Sequence, residues 1–287
     1  MEKFHQAPNV YVSEVGIKVM DLERSIKFYE SIIGLRVLEQ SAGKAVLTAD
    51  GKLPLVTLEQ PADIIPLQGR HSGLYHFALL MPTRADLGVF LQHLVQTNYR
   101  FGAGDHLVSE ALYITDPDGN GIEVYIDRPH EEWAWKLGKV EMATLQIDAN
   151  AIVAAGGNTP WTGMPAGTIM GHIHLHVGDT EKAEQFYKEA FHFETVAYYP
   201  QAAFMSTGGY HHHIAVNTWQ GVGAPTPPRN MVGLIAYTMV FPDTATRQGA
   251  VERIGQMGVS ISEEAGNYLT QDPSGNQIRL VVGQASN

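Results

Sequence analysis

Cysteine is absent from the 287 residues. That excludes disulfides, thiolate metal ligands and a cysteine nucleophile, and it is compatible with a reducing compartment. Long apolar runs are missing too: no stretch approaches the roughly 20 residues of a membrane span. The N-terminal stretch MEKFHQAPNVYVSEVG lacks the apolar centre of a signal peptide, so a cytoplasmic location is expected. Basic residues are scarce, 19 Lys and Arg against 30 Asp and Glu, for a net charge of −11. A surface that follows phosphates needs a basic patch, so neither nucleic acid nor a membrane is an expected partner. What remains is ordinary for a soluble globular chain, with 44% apolar and 17% charged residues and length enough for two cores. The 13 histidines are informative through their clustering more than their number.

Two long segments resemble each other. VSEVGIKVMDLERSIKFYESIIGLRV begins at Val12 and IMGHIHLHVGDTEKAEQFYKEAFHFETV at Ile169. Aligning Asp21 with Asp179 also aligns Phe28-Tyr29 with Phe186-Tyr187, an offset of 158. GLYHFALLMP from Gly73 answers GLIAYTMVFP from Gly233, and DPDGNGIEVYI from Asp116 answers DPSGNQIRLVV from Asp272. These matches predict two homologous halves, residues 10–128 and 168–283, joined by a linker over 129–167.

Each half divides again into strand–helix–strands. A strand at Val15–Val19 runs into Asp21 as N-cap, then an amphipathic helix to Ile33 that Gly34 stops, then alternating strands. A strand at Tyr75–Leu80, a helix at Arg84–Thr97 and strands ending in Ile122–Ile126 repeat the order, so four modules are expected. Asn120-Gly121 and Gly275-Asn276 mark turns before the last strand of each half. The linker reads as a surface connection with helix around Met142–Ala154.

Polar residues at matching repeat positions carry the chemistry. Glu14 in module one corresponds to His172 in module three. His76 in module two corresponds to Ala236 in module four, and Glu123 to Arg279. If modules two and three face one another, His76, Glu123 and His172 converge, while the opposite site is degraded. Two imidazoles and a carboxylate leave metal positions open, as a non-haem Fe(II) oxygenase requires. Each residue also has a plainer reading: His76 as a satisfied core histidine, Glu123 as a tolerated edge residue. Alternation puts His172, His174 and His176 on one face, with at most one a ligand.

The pattern resembles the vicinal oxygen chelate superfamily, which includes glyoxalase I, bleomycin-resistance proteins and type I extradiol dioxygenases. The likeness covers nearly all of the chain except the linker, and is sharpest in GDHLVSEALYITDPDGNGIE, residues 104–123. Gly104, His106, Leu112-Tyr113, Asp116-Pro117, Gly119 and Glu123 meet the extradiol dioxygenase signature. The resemblance implies an α+β fold: two tandem domains, each of paired βαβββ modules forming a curved open barrel. It makes His76, Glu123 and His172 the metal ligands. His106 and Tyr113 match residues that hydrogen-bond substrate and oxygen. The family's acid–base histidine falls in GGYHHHIAV, where His212 fits best by spacing to Ala215, with His213 its rival; strand alternation would put His211 and His213 on the other face. In the large extradiol enzymes one domain supplies all three ligands in the order His, His, Glu. Here the order His76, Glu123, His172 demands pairing across the halves, resembling glyoxalase I.

The activity so implied is extradiol cleavage of a catechol-type aromatic diol by O₂ at Fe(II), with Mn(II) the alternative, giving a muconic semialdehyde. One rival is a glyoxalase-type isomerase or lyase using Ni or Zn and a fourth protein ligand. Another is a metal-free protein that sequesters an aromatic drug or quinone. Trp219, Phe204 and Tyr125 are pocket candidates that serve equally as core aromatics. A single chain would hold a complete site, which leaves a homo-oligomer optional.

Overall fold

A computed structural model describes residues 2–283. Module one comprises β1 (Tyr11–Lys18), α1 (Leu22–Phe28, extended by a π turn over Tyr29–Ile33), β2 (Arg36–Ser41), β3 (Lys44–Thr48) and β4 (Val56–Glu59). Module two comprises β5 (Gly73–Leu80), α2 (Arg84–Gln96), β6 (Gly102–Asp105), β7 (Ser109–Thr115) and β8 (Gly121–Asp127). A connecting segment holds the short β9 (Trp135–Lys136), β10 (Lys139–Val140) and α3 (Ala149–Gly156). Module three comprises β11 (Ile169–His176), α4 (Thr180–Phe191), β12 (Glu194–Tyr199), β13 (Ala202–Ser206) and β14 (Ile214–Asn217). Module four comprises β15 (Gly233–Phe241), α5 (Thr244–Gln256), β16 (Ser262–Glu264), β17 (Asn267–Gln271) and β18 (Gln277–Val282). The module helices begin alike: Asp21, Thr83, Asp179 and Asp243 each accept a hydrogen bond from the backbone nitrogen three residues on. These caps satisfy an N–H the helix cannot pair itself.

The strands form two eight-stranded sheets. One has the order β16-β17-β18-β15-β1-β4-β3-β2, the other β12-β13-β14-β11-β5-β8-β7-β6. The first joins modules four and one, the second modules three and two. At the centre of each, two first strands run antiparallel, β1 with β15 and β11 with β5. Within modules two and three the first strand lies parallel to the last, β5 beside β8 and β11 beside β14. Modules therefore pair across the two halves of the chain, which meets the condition for His76, Glu123 and His172 to converge. The α+β architecture is as expected.

Strand alternation then decides which side chains meet. Phe77, Leu79, Met81, Ile173, Leu175 and Val177 join the main core with Phe90 and Leu94 of α2 and Phe186 of α4. The intervening His76, Ala78, His172 and His174 are also buried, on the other face of the sheet. A slip of one residue would expel the core set, at about 1.5–3 kcal/mol for each large side chain. The hydrophobic pattern thus fixes where the histidines point.

Two local expectations need correction. The helix foreseen over Met142–Ala154 covers only Ala149–Gly156, because Asp148 caps it by accepting from the Ala151 nitrogen. The preceding residues are extended, and Leu145 pairs with Asp105 in both directions (2.8 and 3.0 Å). The triple histidine is not part of a strand, since β14 starts at Ile214. It follows Gly208 and Gly209, both at positive φ (64° and 75°), so strand alternation does not govern His211–His213. No helix among the described residues is long and apolar enough to cross a membrane.

Candidate metal centre

His76 sits on β5, Glu123 on β8 and His172 on β11, three neighbouring strands of one sheet. One potential ligand atom from each lies within 4.8 Å of the others. His76 Nε2 is 3.0 Å and His172 Nε2 is 3.3 Å from the same oxygen, Glu123 Oε2. All three side chains are buried. Their approach depends on Gly121, where a Cβ would stand 2.1 Å from the Tyr75 carbonyl oxygen. Without that side chain β8 can close on β5 and bring Glu123 to His76.

The charge state suits a divalent cation. Burial opposes ionisation of Glu123, but the imidazoles of His172 and His76 outweigh it and hold the carboxyl well below its usual range. Burial pushes His172 down to about 4, against the pull of Glu123, so its ring is neutral near pH 7. A neutral imidazole and a carboxylate are the forms in which these groups bind metals. His76 Nε2 lies close to Glu123 without the alignment of a hydrogen bond, and His172 Nδ1 likewise has no partner. Buried polar atoms are rarely left so. A cation shared by the three side chains would take up His76 Nε2, and oxygen- and nitrogen-liganded divalent metals fit this set. Glu14, the repeat counterpart of His172, instead accepts a hydrogen bond from Thr57 Oγ1 (2.7 Å). No second cluster of this kind occurs among the described residues.

A cavity of about 200 Å³ opens beside the cluster. His76, Glu123, His106, Tyr113, His174, His212, Met142, Phe204, Tyr75 and Trp219 are among its lining residues. Tyr113 Oη lies 2.6 Å from His106 Nε2, and His106 Nδ1 lies 2.8 Å from the Ala143 carbonyl oxygen. The His212 ring is centred 4.0 Å from that of His172, and burial keeps His212 well below its ordinary pKa. His213 does not reach the cavity. Its Nε2 lies 3.0 Å from the Phe4 carbonyl oxygen, and its ring packs on His5, Tyr210 and Phe193. Of the two base candidates, only His212 faces the cluster. His211 is turned to Asp127, with Nε2 2.8 Å from Oδ1. Of the aromatic candidates, Trp219 and Phe204 line the cavity, whereas Tyr125 is fully buried beside His172 and bonded to Tyr210 (2.7 Å).

Sequence reasoning overlooked four lining residues. His174 shares the His172 face, as alternation requires, but its part in the cavity wall was not foreseen; Asn217 Nδ2 donates to its Nε2 (2.8 Å). Met142 and Ala143 belong to the connecting segment, whose divergence from the repeat concealed a wall of the site. Tyr75 precedes His76 and bears on His76, His174 and Trp219.

The Glyoxalase/Bleomycin resistance protein/Dioxygenase superfamily model matches residues 11–124 and again 169–280. Over 98% of this chain and the whole of the relative, the sequence is 41% identical to a catechol-2,3-dioxygenase of Bacillus subtilis (strain 168). Among solved structures, one from Bacillus subtilis subsp. subtilis str. 168, described provisionally as a dioxygenase, superposes with a TM-score of 0.66 at 12% identity, covering 95% of this chain and 84% of that one. Glyoxalase I from Zea mays superposes with a TM-score of 0.56 at 15% identity, covering 94% and 92%. At such identities the structural likeness speaks for the fold alone. Two family matches that together span most of the chain, and a relative aligned end to end, place it: the chain belongs to the Glyoxalase/Bleomycin resistance protein/Dioxygenase superfamily.

Proposed function

We propose that this chain is an extradiol ring-cleavage dioxygenase acting on a catechol-type diol, with Fe(II), or alternatively Mn(II), held by His76, Glu123 and His172. The observation that carries this reading is the buried His–Glu–His cluster, with ligand atoms within 4.8 Å, opening onto a small cavity. Full-length similarity to a catechol-2,3-dioxygenase supports it. Held by His76, His172 and Glu123, the metal would supply Lewis-acid chemistry that acidifies the diol hydroxyls and activates O₂.

The chain's own residues do the rest. His212, facing the cavity and kept neutral by burial, accepts a hydroxyl proton and later returns one. Tyr113, held in place by His106, turns its hydroxyl hydrogen to oxygen atoms that gain charge as the ring opens. Phe204, Met142 and Trp219 line the cavity with apolar surface and keep water away from the diol. Both atoms of O₂ enter the product, a carbon–carbon bond next to the diol breaks, and no external reductant is consumed. Among the described residues no lysine or arginine lines this cavity, so the diol it suits is uncharged. Its volume lies below the roughly 300–1,000 Å³ of drug-sized sites, which favours a single ring.

Glu123→Gln tests the assignment. The amide keeps the shape but removes the charge, so bound iron and the yellow semialdehyde formed from catechol should fall together. The loss should exceed the roughly 10–100-fold typical of changes behind the ligands. A Glu123→Gln protein that stays active without metal would overturn the scheme.

A further inference from the structure

We propose that Asp127 and His211 form a positioning relay that fixes the tautomer of His212 and leaves its Nε2 unprotonated toward the cavity. The proposal rests on the reading of His212 as the base. Three groups lie in a row. Asp127, the last residue of β8, has Oδ1 2.8 Å from His211 Nε2. His211 Nδ1 is 2.8 Å from His212 Nδ1.

The donor–acceptor arithmetic of this row has one solution for neutral rings. A carboxylate only accepts, so His211 must carry its proton on Nε2 and donate it to Asp127. A neutral imidazole has one N–H, so His211 Nδ1 is then an acceptor. Two acceptors cannot share a hydrogen bond, so the hydrogen between the rings belongs to His212 Nδ1. His212 Nε2 is left with its lone pair, the form a general base needs. When a diol hydroxyl gives up its proton, the O–H bond breaks, an N–H bond forms at His212 Nε2, and the oxygen keeps the electron pair. The imidazolium so formed still donates from Nδ1 to His211, so the relay suits both states. A buried aspartate sets the tautomer of the base in a Ser-His-Asp triad by the same logic.

The surroundings hold the row in place. His211 is completely buried, and its ring packs on Tyr210 (4.1 Å between centroids) and Trp133 (5.1 Å). Tyr210 donates to the same Asp127 oxygen at 3.3 Å. Asp127 comes from module two and the histidines from module three, so the relay exists only because those modules share a sheet. Its acidic end lies on the strand that carries Glu123.

Two-bond ¹H–¹⁵N spectra of the metal-free full chain, labelled in its histidine rings, read the tautomer directly. The His212 signals are identified by their loss in His212→Gln. The expected wild-type pattern is protonated Nδ1 with bare Nε2, moving toward the opposite tautomer in Asp127→Leu and in His211→Phe. In the iron-loaded proteins kcat for catechol should fall about 10²-fold in both variants, the lower end of what a general base contributes. KM and iron content should stay unchanged. A wild-type His212 protonated on Nε2 would overturn the relay. An inactive His212→Gln beside a fully active His211→Phe would overturn the relay alone. An active His212→Gln would overturn the base assignment beneath it.

Discussion

Tyr113 donates its hydroxyl hydrogen to His106 Nε2 across 2.6 Å. The direction follows from the far side of the imidazole, where Nδ1 donates to the Ala143 carbonyl oxygen at 2.8 Å, leaving Nε2 an acceptor. Burial, and then the nearby Glu123 carboxylate, raise the Tyr113 pKa well above its ordinary value, so the phenol keeps its hydrogen through the neutral range and can turn it from the neutral imidazole to a diol oxygen that gains charge, a stronger acceptor. In Tyr113→Phe that donor is gone and His106 Nε2 is left unpaired. The expected result is a kcat for catechol lower by about 10²-fold, the scale of one lost oxyanion donor, with iron content intact. A variant with wild-type kcat would remove Tyr113 from the chemistry.

The buried imidazoles make the metal-free protein acid-labile. Burial pushes His172 down to about 4 and holds His174, His212 and His213 well below their ordinary value, with His176 also lowered. The unfolded chain takes up protons on these rings near pH 6.5, while the folded chain does not. Their contribution is therefore fully present above about pH 6.5 and is lost as pH falls below it, in the case of His172 toward about 4. Each ring adds a slope of up to about 1.4 kcal/mol per pH unit. Urea titrations of the metal-free protein between pH 7.5 and 5 should show this steep decline. A flat profile would mean the rings are protonated in the fold.

Much of this site could be read from the chain because its parts lie at repeat positions. Glu14 against His172, and His76 and Glu123 against Ala236 and Arg279, marked one site as retained and its counterpart as lost. The first helix was legible because Asp21 caps it by local chemistry, and the others because the repeat carries the same strand–helix–strands order along the chain. The choice between His212 and His213 was not legible. Strand periodicity says nothing about a turn that follows two glycines at positive φ, and it is the Phe4 carbonyl, far away in sequence, that claims His213. Met142 escaped notice for a related reason. It joins the cavity through backbone pairing of Leu145 with Asp105, which leaves no mark on side-chain pattern.

Tyr75 and Trp219 stand between two cavities and, on the proposed function, would limit the size of the diol. Both are part-exposed aromatics with ring centroids 5.2 Å apart. Both line the inner cavity of about 200 Å³ and also a neighbouring one of about 650 Å³. Truncating either merges the two spaces. In Trp219→Ala and Tyr75→Ala, kcat/KM for 2,3-dihydroxybiphenyl relative to catechol should rise at least about tenfold, the scale on which single pocket contacts discriminate. An unchanged ratio would place the size limit elsewhere in the wall.

Gly171 is required by what packs behind His172. It lies where the pairing of β11 with β5 shifts register between Met170 and His172. A Cβ there would stand 1.9 Å from Tyr125 Oη. Tyr125 cannot yield cheaply, because it is fully buried and its hydroxyl is bonded to that of Tyr210 at 2.7 Å. The strand is tied as well, since His5 Nε2 donates to the Gly171 carbonyl oxygen at 2.8 Å. In Gly171→Ala the strand must therefore move and carry His172 with it. Thermal or urea unfolding should show a loss of about 1–3 kcal/mol, as overpacked sites do, and iron affinity should fall together with stability. Shortening the obstacle should restore part of both, so Gly171→Ala with Tyr125→Leu should cost less than the two changes summed, the signature of residues in contact. If the costs simply add, Tyr125 is not what holds Gly171 to glycine, and the link from this glycine to the placement of His172 fails.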